Sequence, residues 1–257
     1  EVWSGLEPKL ESLRPYAGSA LASYGATLIG RGRYQEAEIL LRSPLQDPKP
    51  NQRVDNVTVL CRAFCRANLS SALVNMGRFE EARELLASLD SESDQSPLLG
   101  SLVTFLNAYL RYLDGEIEAS RNLAVRIDFS NLPLLYRTEL RYHYAALLAR
   151  CEDPESAQRV VSGIEMDTSS HRRLTRLRVL ALAEIANAKG DARTALSYFK
   201  DLRALRHKGS LGFLRAASLA KRENDPALAS EFLQSAVELD PEGHWAGIAR
   251  KKLTGED

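Results

Sequence analysis

The sequence predicts an all-α chain of antiparallel helix pairs that stack on one another as a solenoid. Three observations lead there. Ala, Leu, Arg and Glu dominate the 257 residues while Val, Ile and Thr are sparse, a usage that suits helices and not sheets. Five strings share one pattern, in which a small residue in an apolar stretch is followed twelve residues later by Ala in a second helical stretch. Between the two lies a turn signal, Gly in some copies and Asp-Pro in others.

The five pairs are Gly25 and Ala37, Ser70 and Ala82, Ala145 and Ala157, Ala183 and Ala195, and Ala217 and Ala229. Their turns carry Gly32-Arg33, Gly77-Arg78, Asp153-Pro154, Gly190-Asp191 and Asp225-Pro226, and a sixth, fainter copy surrounds Gly115 and Ala119. The spacing has a physical reason. Two antiparallel helices joined by a tight turn approach closely only where both present a small side chain. Gly ends the first helix in the left-handed conformation. Tyr34 and Phe79, two residues past the turn, are placed to wedge between the helices. Each hairpin keeps an apolar side that the next must cover, so the units stack.

On these residues the chain resembles the tetratricopeptide repeat family. Gly25, Leu28, Gly32, Tyr34, Ala37 and Leu41 fall on that family's signature positions, as do Leu69, Ser70, Leu73, Gly77, Phe79, Ala82 and Leu86. Ala229, Leu233, Ala236 and Asp240-Pro241 match its usual ending. The resemblance covers roughly residues 17–241. It implies a right-handed superhelical α-solenoid whose first helices line a concave binding surface. The expected units are about 17–50, 51–94, 97–130, 132–167, 170–208 and 210–241, with an N-terminal capping helix at 1–16 and a C-terminal capping helix and tail at 242–257. In the last of these, Asp240-Pro241-Glu242 is expected to start a helix whose Trp245, Ile248 and Leu253 cover the final hairpin. Arg250, Lys251 and Lys252 would then face outward. The signature Ala positions 37, 82, 119, 157, 195 and 229 step unevenly, and only the last step equals the family period of about 34 residues. Extra length sits at Pro48 to Leu60 and Thr168 to Leu177.

Net charge is zero, yet residues 137–215 carry +6 between flanks of −3 each. That asymmetry selects an acidic partner or reflects solvated helix faces. Cys61, Cys65 and Cys151 are too few and odd in number for a disulfide framework, and Cys61 and Cys65 lie four apart on one helix. Free thiols fit a reducing, cytoplasmic compartment. A chain starting at Glu1 leaves open that it is part of a longer protein, and so leaves a periplasmic or membrane-anchored location open. No apolar run approaches the roughly 18–20 residues of a membrane span.

Catalysis finds little footing. No phosphate loop, GxSxG or HExxH occurs, and His143, His171, His207 and His244 lack metal-ligand spacing, so no cofactor or metal is expected. The expected function is a protein-interaction scaffold or adaptor. The alternatives are a regulatory or sensor module of a larger protein and, less favoured, an RNA-binding repeat acting through residues 172–208, with the densest basic stretch at 171–178. From the family's groove positions, the expected partner-binding residues are Tyr109, Arg111, Tyr112, Tyr142, Arg150, Glu184, Asn187, Lys221 and Arg222. The partner is a protein or peptide, acidic with apolar anchors. Tyr109, Tyr112 and Tyr142 could equally fill core between long helices. The family's carboxylate clamp is unsupported, because only Asn68 matches it and Ala22 and Ala26 stand at its Lys and Asn positions.

Overall fold

A computed structural model describes residues 14–45, 56–168 and 171–256. The described residues form fourteen α-helices and contain no strand. They group into two compact units, residues 1–103 and 104–257. The first holds α1 (Arg14–Gly30), α2 (Tyr34–Arg42), α3 (Asn56–Asn75), α4 (Phe79–Ala87), the short α5 (Asp90–Ser93) and the start of α6 (Pro97–Leu113). The second holds the rest of α6, α7 (Ile117–Ala124), α8 (Leu134–Arg150), α9 (Pro154–Ser162) and α10 (Arg172–Ala188). It continues through α11 (Ala192–Ala204), α12 (Ser210–Arg222), α13 (Pro226–Leu239) and α14 (His244–Thr254). The expected cap at 1–16 lies almost wholly outside the described residues.

Six hairpins share one construction. The small residue of the first helix and its partner twelve residues on are buried in every copy, with Ala37, Ser70, Ala82, Ala145, Ala157, Ala183 and Ala195 wholly enclosed. Seven residues after each first-helix position, the chain takes a positive φ: Gly32, Gly77, Gly115, Glu152, Gly190 and Asn224. The next backbone N–H then donates to a carbonyl five residues back, from Arg33 to Leu28, Arg78 to Leu73, Glu116 to Arg111, Asp153 to Leu148, Asp191 to Ala186 and Asp225 to Ala220. This closure satisfies the orphan carbonyls of the first helix and aims the chain back along it. Glu152 and Asn224 do the same work without glycine. Asn tolerates the left-handed region, whereas Glu152 holds it at a cost of about 1–2 kcal/mol. Where the turn begins with Asp, its carboxylate caps the second helix: Asp153 accepts from the Ser156 N–H at 3.1 Å, Asp191 from Thr194 at 3.1 Å and Asp225 from Leu228 at 2.9 Å.

The third hairpin corrects the expected register. Ala119 is exposed, and Ser120 takes the enclosed position, its hydroxyl donating to the Ala108 carbonyl at 2.7 Å. Ala108 and Ser120 are themselves twelve apart, so a hydrogen-bonded hydroxyl replaces a methyl at the crossing. Cys151 donates its thiol to the same hydroxyl at 3.4 Å.

Within residues 1–103, α3 packs against α1, α2 and α4 and buries Ala63, Cys65, Ala67, Leu69 and Leu73. Contrary to the expectation that no segment nears membrane-spanning length, Val57–Asn75 passes that test by length and composition. Its small and apolar residues form the packed face of a core helix. Tyr34 wedges in as expected and is buried, while Phe79 is half-buried. Burial pushes the Cys65 thiol up to about 12, which keeps it protonated and inert. The Asn68 amide donates to the Ala22 carbonyl at 2.9 Å, so the one residue matching a carboxylate clamp ties α3 to α1. Between the second helices, Glu38, Arg42, Arg78 and Glu81 form a ring with contacts of 2.8, 3.1, 2.7 and 2.6 Å. The Arg78 guanidinium holds the Glu81 carboxyl below the usual range. These groups are half exposed, so each pair contributes roughly 0.2–1 kcal/mol.

In residues 104–257, Phe199, Phe213 and Phe232 build the core of the last two hairpins, with ring centroids 6.3 and 6.4 Å apart. First-helix arginines also cap second-helix ends. Arg141 Nη1 donates to the Gly163 carbonyl at 3.0 Å and Arg176 Nε to that of Leu205 at 2.8 Å, repeating the bond from Arg66 to Ser88 in the first unit. The C-terminal helix begins at His244 and not at Pro241. The reason is that Asp240, buried, accepts from the Ser210 N–H at 3.1 Å and closes α13 onto α12. Ala246 and Ala249 make the buried contact of α14, Trp245 and Ile248 are half-buried, and Leu253 is exposed.

Gly25 tests the crossing. A Cβ there would lie 2.5 Å from Leu41 Cδ2 and 2.7 Å from its Cγ, and Leu41 is itself fully enclosed. Gly25→Ala should therefore destabilise residues 1–103 by about 1–3 kcal/mol, seen as a lower urea midpoint.

Candidate partner-binding face

Glu184 lies on α10 between Leu180, Ala181 and Ile185, all buried, and has no exposed surface of its own. A carboxylate in such a place requires partners. Two arginines supply them from the helices on either side. Arg150 at the end of α8 donates Nε to Oε1 at 2.9 Å, and Arg215 of α12 donates Nε to Oε2 at 2.8 Å. Arg215 Nη1 also donates to the Tyr112 hydroxyl of α6 at 3.1 Å. Arg150 contacts the Tyr109 phenol. Burial opposes the Arg150 charge, but Glu184 and the two phenols outweigh it and hold the guanidinium above its ordinary value. Two cations on one carboxylate leave this cluster with an excess positive charge.

Aromatic side chains run along α6 beside it. Phe105 and Tyr109 stack with centroids 6.2 Å apart, as do Tyr109 and Tyr112, and the His143 ring of α8 tilts against Phe105 at 5.7 Å. Burial, opposed mainly by Arg150, raises the Tyr109 phenol. His143 is pushed from 6.5 down to about 3 by burial and by the Arg173, His207 and Arg150 charges, and His207 to about 4 by burial, Arg176 and Arg150. Both imidazoles are neutral at physiological pH. Glu139, raised by burial, is paired with Arg173 of α10.

Of the expected site residues, Tyr109, Tyr112, Arg150 and Glu184 thus meet around one carboxylate. Asn187 and Arg222 pair with each other, Nη2 to Oδ1 at 3.3 Å, farther along the same α10–α12 seam. Lys221 is exposed beside them. Tyr142 is not on offer to a partner: at 3 % exposure it belongs to the core. Arg111 is exposed but pairs with Glu116 across its own hairpin turn at 2.7 Å. Glu184 is also recast, since it is enclosed and serves to hold the arginines. Arg215 is not among the groove positions that the repeat pattern assigns to α12, which are Lys221 and Arg222. A basic residue opposite a lone acid on the neighbouring helix was the available signal. Among the basic stretch 171–178, Arg173 and Arg176 are engaged with Glu139 and the Leu205 carbonyl, which removes them from a nucleic-acid footprint.

Removing the shared carboxylate should be costly. Glu184→Gln leaves Arg150 enclosed without a counter-charge and should lower stability by about 3–5 kcal/mol in urea unfolding. The two depressed histidines set a pH dependence. Below about 6.5 the unfolded chain takes up protons that the folded state refuses, so stability should fall as pH drops from 7 toward about 4. His143→Gln with His207→Gln should flatten that slope in thermal melts taken across the interval.

A scan of the chain against protein-family models finds no match, and neither does a search of curated protein sequences.

Proposed function

We propose that the chain is a tetratricopeptide-like helical repeat whose hairpins form a right-handed α-solenoid, and that its function is to bind a protein or peptide and not to catalyse. The supporting observation is the face shared by α6, α8, α10 and α12. Stacked phenyl and phenol rings lie beside the Arg150 and Arg215 guanidinium groups, which share the enclosed Glu184 carboxylate. Aromatic and arginine side chains held rigid by their neighbours are the composition of contact hot spots, because little conformational freedom remains to be lost on binding. The neutral His143 adds polar surface without charge.

Ser218 gives a test that spares the core. It is exposed on α12, between Arg215 and Arg222 on one helical stripe, and its hydroxyl donates to the Leu214 carbonyl of its own helix. A displayed library of random peptides panned on the protein should yield binders that Ser218→Trp blocks by bulk. Lys200→Trp, on the exposed side of α11, should leave them unaffected in fluorescence polarisation. Equal binding by Ser218→Trp would show that the partner sits elsewhere.

A further inference from the structure

We propose that the α10–α12 seam recognises paired acidic side chains, spaced three residues apart, in an extended segment of the partner. The inference rests on the binding role assigned to this face and specifies what the face selects.

Arg215 and Arg222 are seven residues apart on α12, two turns, which places their stems about 10 Å apart along the helix. Each is fastened by one side to α10: Arg215 to Glu184 at 2.8 Å, and Arg222 to Asn187 at 3.3 Å. A guanidinium has five N–H donors in a planar fork. The bonds from Arg215 engage Nε and Nη1, and the bond from Arg222 engages one Nη2 donor. The remaining donors point from anchored, part-exposed groups. Arg215 retains 27 % of its side-chain surface, and Arg222 and Lys221 are exposed. Glu184, the carboxylate on this seam, is enclosed and divided between two arginines, so it cannot neutralise an added cation.

Two fixed cations at this separation match a particular ligand geometry. In a polyproline-type extended chain, residues three apart fall on the same side and are separated by about 9 Å. Carboxylates at those positions reach both arginines together, and Lys221 strengthens the field at the second. An apolar residue beside the first acidic one lies against Tyr112, whose hydroxyl accepts from Arg215 and keeps its own proton to donate. The chemistry is that of side-chain carboxylates, not a chain terminus, because two sites in register cannot both be filled by one terminal group.

The test pans random twelve-residue peptides at low salt in two pools, one acetylated and amidated so that no terminal carboxylate is present, the other with a free C-terminus. Enriched peptides should carry two Asp or Glu residues three apart. Their affinity should fall about tenfold with Lys221→Glu/Arg222→Glu, a change at exposed groups outside the core. It should also fall steeply as salt is raised. Arg215→Gln should weaken the same peptides, with Arg215→Lys restoring part of the loss through charge alone. Enriched peptides without acidic pairs, or pairs insensitive to Lys221→Glu/Arg222→Glu, overturn the inference while leaving a binding face. Enrichment only of peptides with a free C-terminus also overturns it, in favour of a terminal carboxylate. If no peptide is enriched, the binding role itself falls.

Discussion

Everything in this chain depends on a close crossing of two helices at a pair of small residues twelve apart. With a left-handed residue seven positions after the first, the crossing sets where the second helix lies. It also sets how deeply large residues such as Leu28, Leu41 and Phe199 can be enclosed around it. The consequence is visible in the third hairpin. There a serine holds the crossing, and the pair survives because the Ser120 hydroxyl finds the Ala108 carbonyl instead of facing apolar surface unpaired. Small size is the requirement, and polarity is tolerated once satisfied.

The same device bears on the aromatic and arginine-lined face. In the second unit α10 packs against α8, its side chains also reach α12, and polar residues on these helices meet across the two seams. Glu184 is the centre of that arrangement. A buried carboxylate held by two arginines adds little net stability, since desolvation of three charges offsets most of their attraction. What it does supply is orientation. It fixes Arg150 and Arg215 so that their remaining donors, and the Tyr112 hydroxyl, stand in set positions.

Much of this was legible in the residues alone. Four turns announce themselves through Gly32, Gly77, Gly115 and Gly190, and three second helices through Asp at the cap. The hidden parts share a cause. Glu152 adopts a conformation its residue type disfavours, so only its context reveals the turn. Ala119 looked like the crossing residue because alanine is the usual choice, while the true one carries a hydroxyl whose acceptor is a backbone atom that sequence does not display. Tyr142 and Tyr109 are identical side chains on similar helices, and which one is enclosed depends on how neighbouring helices pack. Arg215 shows the same limit. A face counted by helical period is one residue wide, whereas a guanidinium reaches well beyond its own stripe.

The bond between Arg215 and Tyr112 has a consequence for how the second unit folds. Hairpin crossings join residues twelve apart and neighbouring units add contacts of modest separation, so each pair can form quickly and independently. Arg215 and Tyr112 are 103 residues apart in sequence. Closing that contact requires the intervening hairpins to be in place first. It is therefore a late event, and the aromatic face acquires its final form only when the unit as a whole has done so.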